Sequence, residues 1–333
     1  LGIVVDETRD VAYYAELDSE VDGIVAVDLT TGQRTSFSTL SVPLEAQPVD
    51  FGTPLGVALD QPNDRLLVAD GMRDTIIAVS LSDGTRSAID ESTTNLPLGI
   101  PRGIVLYDDR AWVADLYTDS VVSIDLRPGP TSGDREIVTG PDRGAGPRLS
   151  RPYNLAVDAV RDRIIVTDAD FSLPLAVSLS ADRVGDRSLL EANTVVRVGE
   201  GPSFTNAAGI ARGGSSVYLS DVDFGGILAL DLRTGVREVV ADLDVVPDAF
   251  GFDERGGRFF VYDDANDILL SVSRDDGGAV GISDRNSPTT NRGCSTGPPA
   301  ISRWSPTGTP CSSSIRFGPR CFGSTSRPEP API

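Results

Sequence analysis

Oxygen is the chemistry that the repeating part of this chain can offer. Among 333 residues there is no histidine, all 29 basic residues are arginine, and the three cysteines (Cys294, Cys311 and Cys321) stand close to the C-terminal end. Without histidine there is no Ser–His or Cys–His nucleophile pair and no imidazole-built zinc site. Without lysine there is no Schiff base and no phosphate-loop lysine. Asp, Glu, Asn and carbonyl oxygens remain, and these suit Ca²⁺ or Mg²⁺. Six acids recur in one setting, each closing a short apolar run: Glu16, Asp70, Asp115, Asp168, Asp221 and Asp263.

The elements that carry these acids are strands. Residues 56–89 read as four short apolar runs separated by Gln61-Pro62-Asn63-Asp64, by the residues after Asp70, and by Ser82-Asp83-Gly84. β-Branched runs punctuated by Gly, Pro, Asn and Asp are the strand-and-hairpin signal, and no helical spacing competes with it. The unit recurs from Gly2, Gly56, Gly103, Asn154, Gly209 and Ala249, and the acid follows after fourteen residues in four copies and twelve in those from Gly103 and Gly209. A two-residue deletion fits a hairpin turn, because it preserves which face each side chain takes. Third runs follow, such as Gly23–Leu29 and Thr75–Leu81, and turns on Gly32, Gly84, Gly235 and Gly277 precede a fourth. A four-strand repeat of this length predicts an all-β, six-bladed β-propeller over residues 1–283. Each blade supplies its own four strands, so blade 6 is expected to meet blade 1 without strand exchange, with residues 279–282 as its outer strand.

After Ser283 the periodicity stops. Residues 284–333 are rich in Pro, Ser, Gly, Thr and Arg, with six Arg against two acids, and are expected to form a disordered tail. Residues 1–283 carry 47 acids and 23 Arg, a net charge of −24. That charge argues against nucleic acid or an anionic membrane surface as a partner. No apolar run approaches the roughly 20 residues of a membrane span, so no membrane insertion is expected.

In a propeller the six acids form a ring on the face that carries the connectors between blades. A carboxylate required in every copy points to a repeated structural task, the capture of turn amides. Polar residues that the repeat does not require are better candidates for a ligand site at the channel mouth: Arg102, Asn154, Asn206 and Asp248. Trp112, in a second strand, reads as core.

The pattern G-[IV]-x-[VL]-D followed by an apolar run ending in Ala-Asp or Thr-Asp resembles the six-bladed NHL, YWTD and gluconolactonase/strictosidine-synthase-like propellers. The resemblance covers residues 1–283 and implies an extracellular or periplasmic monomer. In the gluconolactonase-like members a divalent cation sits at the channel mouth on a Glu and on Pro-Asn-Gly and Pro-Asp-Gly motifs. Pro247-Asp248-Ala249 resembles the last without its Gly, Pro152-Tyr153-Asn154 carries its Asn one place late, and the Glu has no counterpart. Two functions follow. One is a non-catalytic propeller that binds a small molecule or a partner protein through the connector-rich face. The other, which the resemblance implies, is a Ca²⁺-dependent lactonase or esterase with the metal on Asn154, Asn206 and Asp248.

Overall fold

The computed structural model describes residues 1–17, 22–39, 49–89, 96–171, 174–190, 201–263 and 265–284, with Asp248 described in its backbone alone. The cysteine-bearing segment from residue 285 onward, the acids Asp18 and Glu20, and residues 40–48, 90–95 and 191–200 lie outside the described residues. The described strands form six four-stranded sheets, and each sheet is built from four consecutive strands. This is the six-bladed propeller. Blade 6 ends in the strand Ala279–Asp284, one residue beyond the expected boundary, and blade 1 holds only its own strands.

Local chemistry shapes the hairpins. The first turn of blade 2 is a short 3-10 segment, Gln61–Asn63, closed by left-handed Asp64, and blade 4 repeats this with Ala159–Arg161 and Asp162. Blade 3 has only Asp108 and Asp109 between its strands, both at φ 54°. Two positive-φ residues make the tight hairpin whose twist matches the flanking strands. That is where the two residues are missing. Every described non-glycine residue with positive φ is an aspartate, whose short side chain tolerates the left-handed region.

The inner strands are Ile3–Asp6, Pro54–Asp60, Pro101–Tyr107, Pro152–Asp158, Ala207–Gly213 and Pro247–Asp253. Four open on proline, which an edge strand accepts because no ladder donor is required there. In blades 2 to 6 the register against the second strand shifts just after this first residue. Such a bulge bends the strand and re-aims its side chains. Proline at the start of the inner strand is thus a feature of the blade, which accounts for Pro152 and Pro247 without a metal motif.

The core lies between neighbouring sheets. Ile165 and Ala176 of blade 4, for example, pack on Val217, Leu219 and Leu228 of blade 5. Trp112 is buried and donates its indole N–H to the Tyr107 carbonyl at 3.0 Å.

Five outer strands begin with arginine: Arg34, Arg86, Arg135, Arg187 and Arg237. Four of the five are buried, Arg135 being the exception. Arg187 donates to the carbonyls of Gly140, Arg143, Gly144 and Pro147 and to the Thr139 hydroxyl, so it pins the connector that enters its own blade. Arg86 lies over the Phe51 ring and Arg237 over Phe204, in the corresponding connectors. In blade 1, Arg34 turns instead to blade 6. There it meets Asp267 at 3.0 Å and the Tyr14 hydroxyl, beneath the stacked rings of Tyr14 and Tyr262. Gly32 adds to this seam: at φ 73° it lies against the Ile282 carbonyl, where a Cβ would collide.

Candidate functional site

The channel is built from the six inner strands, and its two ends differ. Toward the connector face the strands converge on glycine. A Cβ at Gly2 would strike the Val57 amide nitrogen, one at Gly56 the Arg102 carbonyl, and one at Gly209 the Phe250 Cβ. A side chain at these glycines would collide with the neighbouring strand, and the throat is drawn tight. Three residues further along, the same strands place Val5, Leu59, Leu106, Val157 and Arg212 around a cavity of about 490 Å³.

Asn154 replaces glycine in the throat. Its Nδ2 donates to the Ala208 carbonyl of blade 5 at 3.0 Å, and a Cβ on Gly103 of blade 3 would lie 2.7 Å from its Oδ1. The amide therefore spans from one neighbouring blade to the other. Its own N–H donates to Thr167 Oγ1 at 3.0 Å. Arg102 stacks on Tyr153, its guanidinium carbon 3.8 Å from the ring centroid, a contact that holds a cation over an aromatic face. Arg102, Tyr153 and Asn154 border one small recess beside the throat.

The other two candidates fall elsewhere. Asn206 donates its Nδ2 to Asp223 Oδ1 at 3.4 Å in an exposed turn, and its N–H reaches Asp221. Asp248 occupies the bulge position of the last inner strand, and its side chain lies outside the described residues. Arg102 and Asn154 are thus brought together, whereas the amides of Asn154 and Asn206 engage separate partners.

The ring of acids performs the structural task. Asp70 accepts from the N–H groups of Gly52, Thr53, Met72 and Arg73 at 2.7–3.2 Å. Asp115 accepts from those of Gly99, Ile100, Tyr117 and Thr118 at 2.6–3.2 Å. Asp168 and Asp221 do likewise in blades 4 and 5. Each carboxylate ties the incoming connector to the turn after the second strand. Glu16 departs from this pattern and accepts from the Tyr262 hydroxyl at 3.2 Å across the seam. Burial pushes its carboxyl above the ordinary glutamate value, against the pull of Arg34.

A calcium ion requires several convergent oxygens. Among the described residues no three His, Cys, Asp or Glu side chains gather into a metal-binding group. The four best-placed carboxylates of the ring are occupied by amides.

Sequence reading missed two features. The first lies two places after the ring acids of blades 2 to 5, where the side chain stands out from the connector face. Blades 2 and 3 carry Met72, 71% exposed, and Tyr117, 77% exposed, whereas blades 4 and 5 carry Asp170 and Asp223. Aligning the acids would have revealed it. The second is Arg212, which stands where five other blades carry Val5, Leu59, Leu106, Val157 and Phe252.

No family model matches the chain, and no curated protein matches it. Solved structures do. A chain from a nidogen–laminin complex is 20% identical with a TM-score of 0.52, covering 69% of this chain and 75% of that one. A virginiamycin B lyase from Staphylococcus aureus is 12% identical with a TM-score of 0.52, covering 83% and 81%. A gluconolactonase from Xanthomonas campestris is 17% identical with a TM-score of 0.53, covering 86% and 87%. At these identities the likeness is one of fold, and that fold serves binding proteins and enzymes alike.

Proposed function

We infer that this propeller is a non-catalytic binding module that engages a partner protein through its connector face. The observation that carries this reading is the exposed pair Met72 and Tyr117. They sit at equivalent positions on adjacent blades and stand directly over Gly52 and Gly99, where a Cβ would crowd their own Cβ atoms at 2.8 and 2.7 Å. The glycines leave a flat base under two large side chains. A shallow apolar surface bordered by charge suits a protein, while a small molecule needs a concave site. The Arg102–Tyr153 stack lies on the same side of the molecule, at the throat.

The Ca²⁺-dependent lactonase reading draws on the partial motif matches at Asp248 and Asn154 and on the likeness to a gluconolactonase fold. A photo-crosslinking residue placed at Tyr117 should capture a partner that the same residue at Val160, on the opposite face, does not. Met72→Asp with Tyr117→Asp should abolish that capture without lowering the melting temperature. Turnover of a lactone by the purified chain, unaffected by the double variant, would overturn the reading.

A further inference from the structure

Blades 6 and 1 meet through a polar cluster that the repeat does not call for. At three other junctions the small side chain just before one ring acid packs with the aliphatic side chain two places before the next. These pairs are Ala15 with Val68, Ala69 with Val113, and Ala114 with Val166. At the last junction the same two places hold Tyr262 and Tyr14, fully buried and stacked with their centroids 4.9 Å apart. Their hydroxyls meet Glu16, Arg34 and Asp267, and both Glu16 and Arg34 are more than nine-tenths buried.

The cluster is one positive charge short. Among the described side chains, Glu16 faces Tyr14 and Arg34 of its own blade and Tyr262 and Asp267 of blade 6. Asp267 accepts from both Nη1 and Nη2 of Arg34 at 3.0 Å and from the Tyr262 hydroxyl at 2.7 Å. Asp267 is thus the ionised acid of the two, and Arg34 compensates it. Glu16 is left 3.9 Å from Arg34 Nη2. It lies 3.2 Å from a Tyr262 oxygen whose single proton Asp267 claims at shorter range. An ionised Glu16 would be a second buried carboxylate on one cation, which favours the protonated acid. Burial pushes its carboxyl above the ordinary glutamate value; Arg34 opposes the rise and Asp267 adds to it. Burial also pushes both phenols up, so neither tyrosine contributes charge.

We propose that the junction of blades 6 and 1 is a proton-operated latch, closed while Glu16 holds its proton and loosened when the carboxyl ionises. No strand is shared across this junction, so loosening it breaks no ladder within a sheet. The Gly2–Phe250 bridge and the packing of Phe260 and Leu269 with blade 1 keep the ring joined, and the opening is local. The closed junction binds the proton more tightly than the open one. Its stability is therefore full below the ordinary glutamate value and is lost as pH rises through the raised value. The latch uses only the packing between these two blades and does not rest on the connector-face reading.

The test is amide hydrogen exchange of the full chain, corrected for intrinsic rate, alongside a ¹³C titration of the Glu16 carboxyl. Protection in Val11–Glu16 and Arg258–Asp263 should fall as pH rises above the ordinary glutamate range, by up to about tenfold per pH unit. It should level off once the carboxyl has titrated, while Arg110–Asp115 and Arg163–Asp168 keep their protection. Glu16→Gln, neutral throughout, should remove the pH dependence from blades 1 and 6. A Glu16 carboxyl that titrates in the ordinary range overturns the latch. So does an equal loss of protection in blades 3 and 4, or a pH dependence that survives Glu16→Gln. Should Glu16→Gln fail to fold, protection in blades 1 and 6 that stays unchanged through the carboxyl titration of the unaltered protein still overturns it.

Discussion

A buried carboxylate that accepts four backbone N–H groups is an anchor, and its removal would orphan donors that cost about 1–3 kcal/mol each. Asp115 is such a group, and its occupied lone pairs explain why a ring of acids need not be a metal funnel. Glu16 differs from it, because it accepts from a tyrosine hydroxyl in place of several amides and so lacks their compensation for burial. Its raised pKa means that the folded chain holds this proton more tightly than the unfolded chain. That contribution to stability is present below the ordinary glutamate range and is lost as pH rises through the raised value. Glu16→Gln fixes the neutral form. The melting temperature of Glu16→Gln relative to the unaltered protein should therefore climb as pH rises out of the ordinary glutamate range. A difference that stays constant across this range would show that Glu16 titrates normally.

At the scale of the element, the first residue of the outer strand joins the blade to its connector. A guanidinium is suited to the task because its planar fork presents several N–H donors at fixed angles, whereas an ammonium group is a compact point charge. Arg187 uses that fork on four carbonyls and a hydroxyl, closing residues 140–147 against its own sheet. Arg187→Lys keeps the charge and leaves most of those acceptors unserved. It should lower stability by about 2–3 kcal/mol in urea unfolding, by the cost of orphaned buried acceptors. Arg161→Lys, on a half-exposed side chain paired with Asp158, should change little. If the two variants behave alike, the connector is held by something other than the fork.

At the scale of the molecule, closure and charge dominate. The six sheets share no strand, and the ring is closed by Arg34 on Asp267, Tyr14 on Tyr262, Gly32 against Ile282 and a backbone bridge between Gly2 and Phe250. The net charge of −20 repels itself across the whole surface, and added salt should relieve that repulsion. Sodium chloride should therefore raise the melting temperature, and millimolar Ca²⁺ at matched ionic strength should raise it no further. An additional rise with Ca²⁺ that is lost in Asp248→Ala would restore the metal site on Asn154, Asn206 and Asp248.

The sequence by itself determined what repeats. Strand length, turn residues and the recurrent acid are local signals, and they were legible because each blade must satisfy the same backbone geometry. The shortened hairpin at Asp108-Asp109, the burial of Trp112 and the self-contained sixth blade were all readable in this way. Tertiary structure decided what happens between blades. Whether Asn154 faces a metal or the Ala208 carbonyl depends on a neighbour 54 residues away, and no spacing in the chain encodes that distance. The partners of Arg34 are up to 233 residues distant, and Asp158 meets Arg212 of the next blade only once the two blades pack. Periodicity fixes each blade's own hydrogen bonds, but side-chain partners across the ring are set by packing, which the order of residues along one strand does not contain.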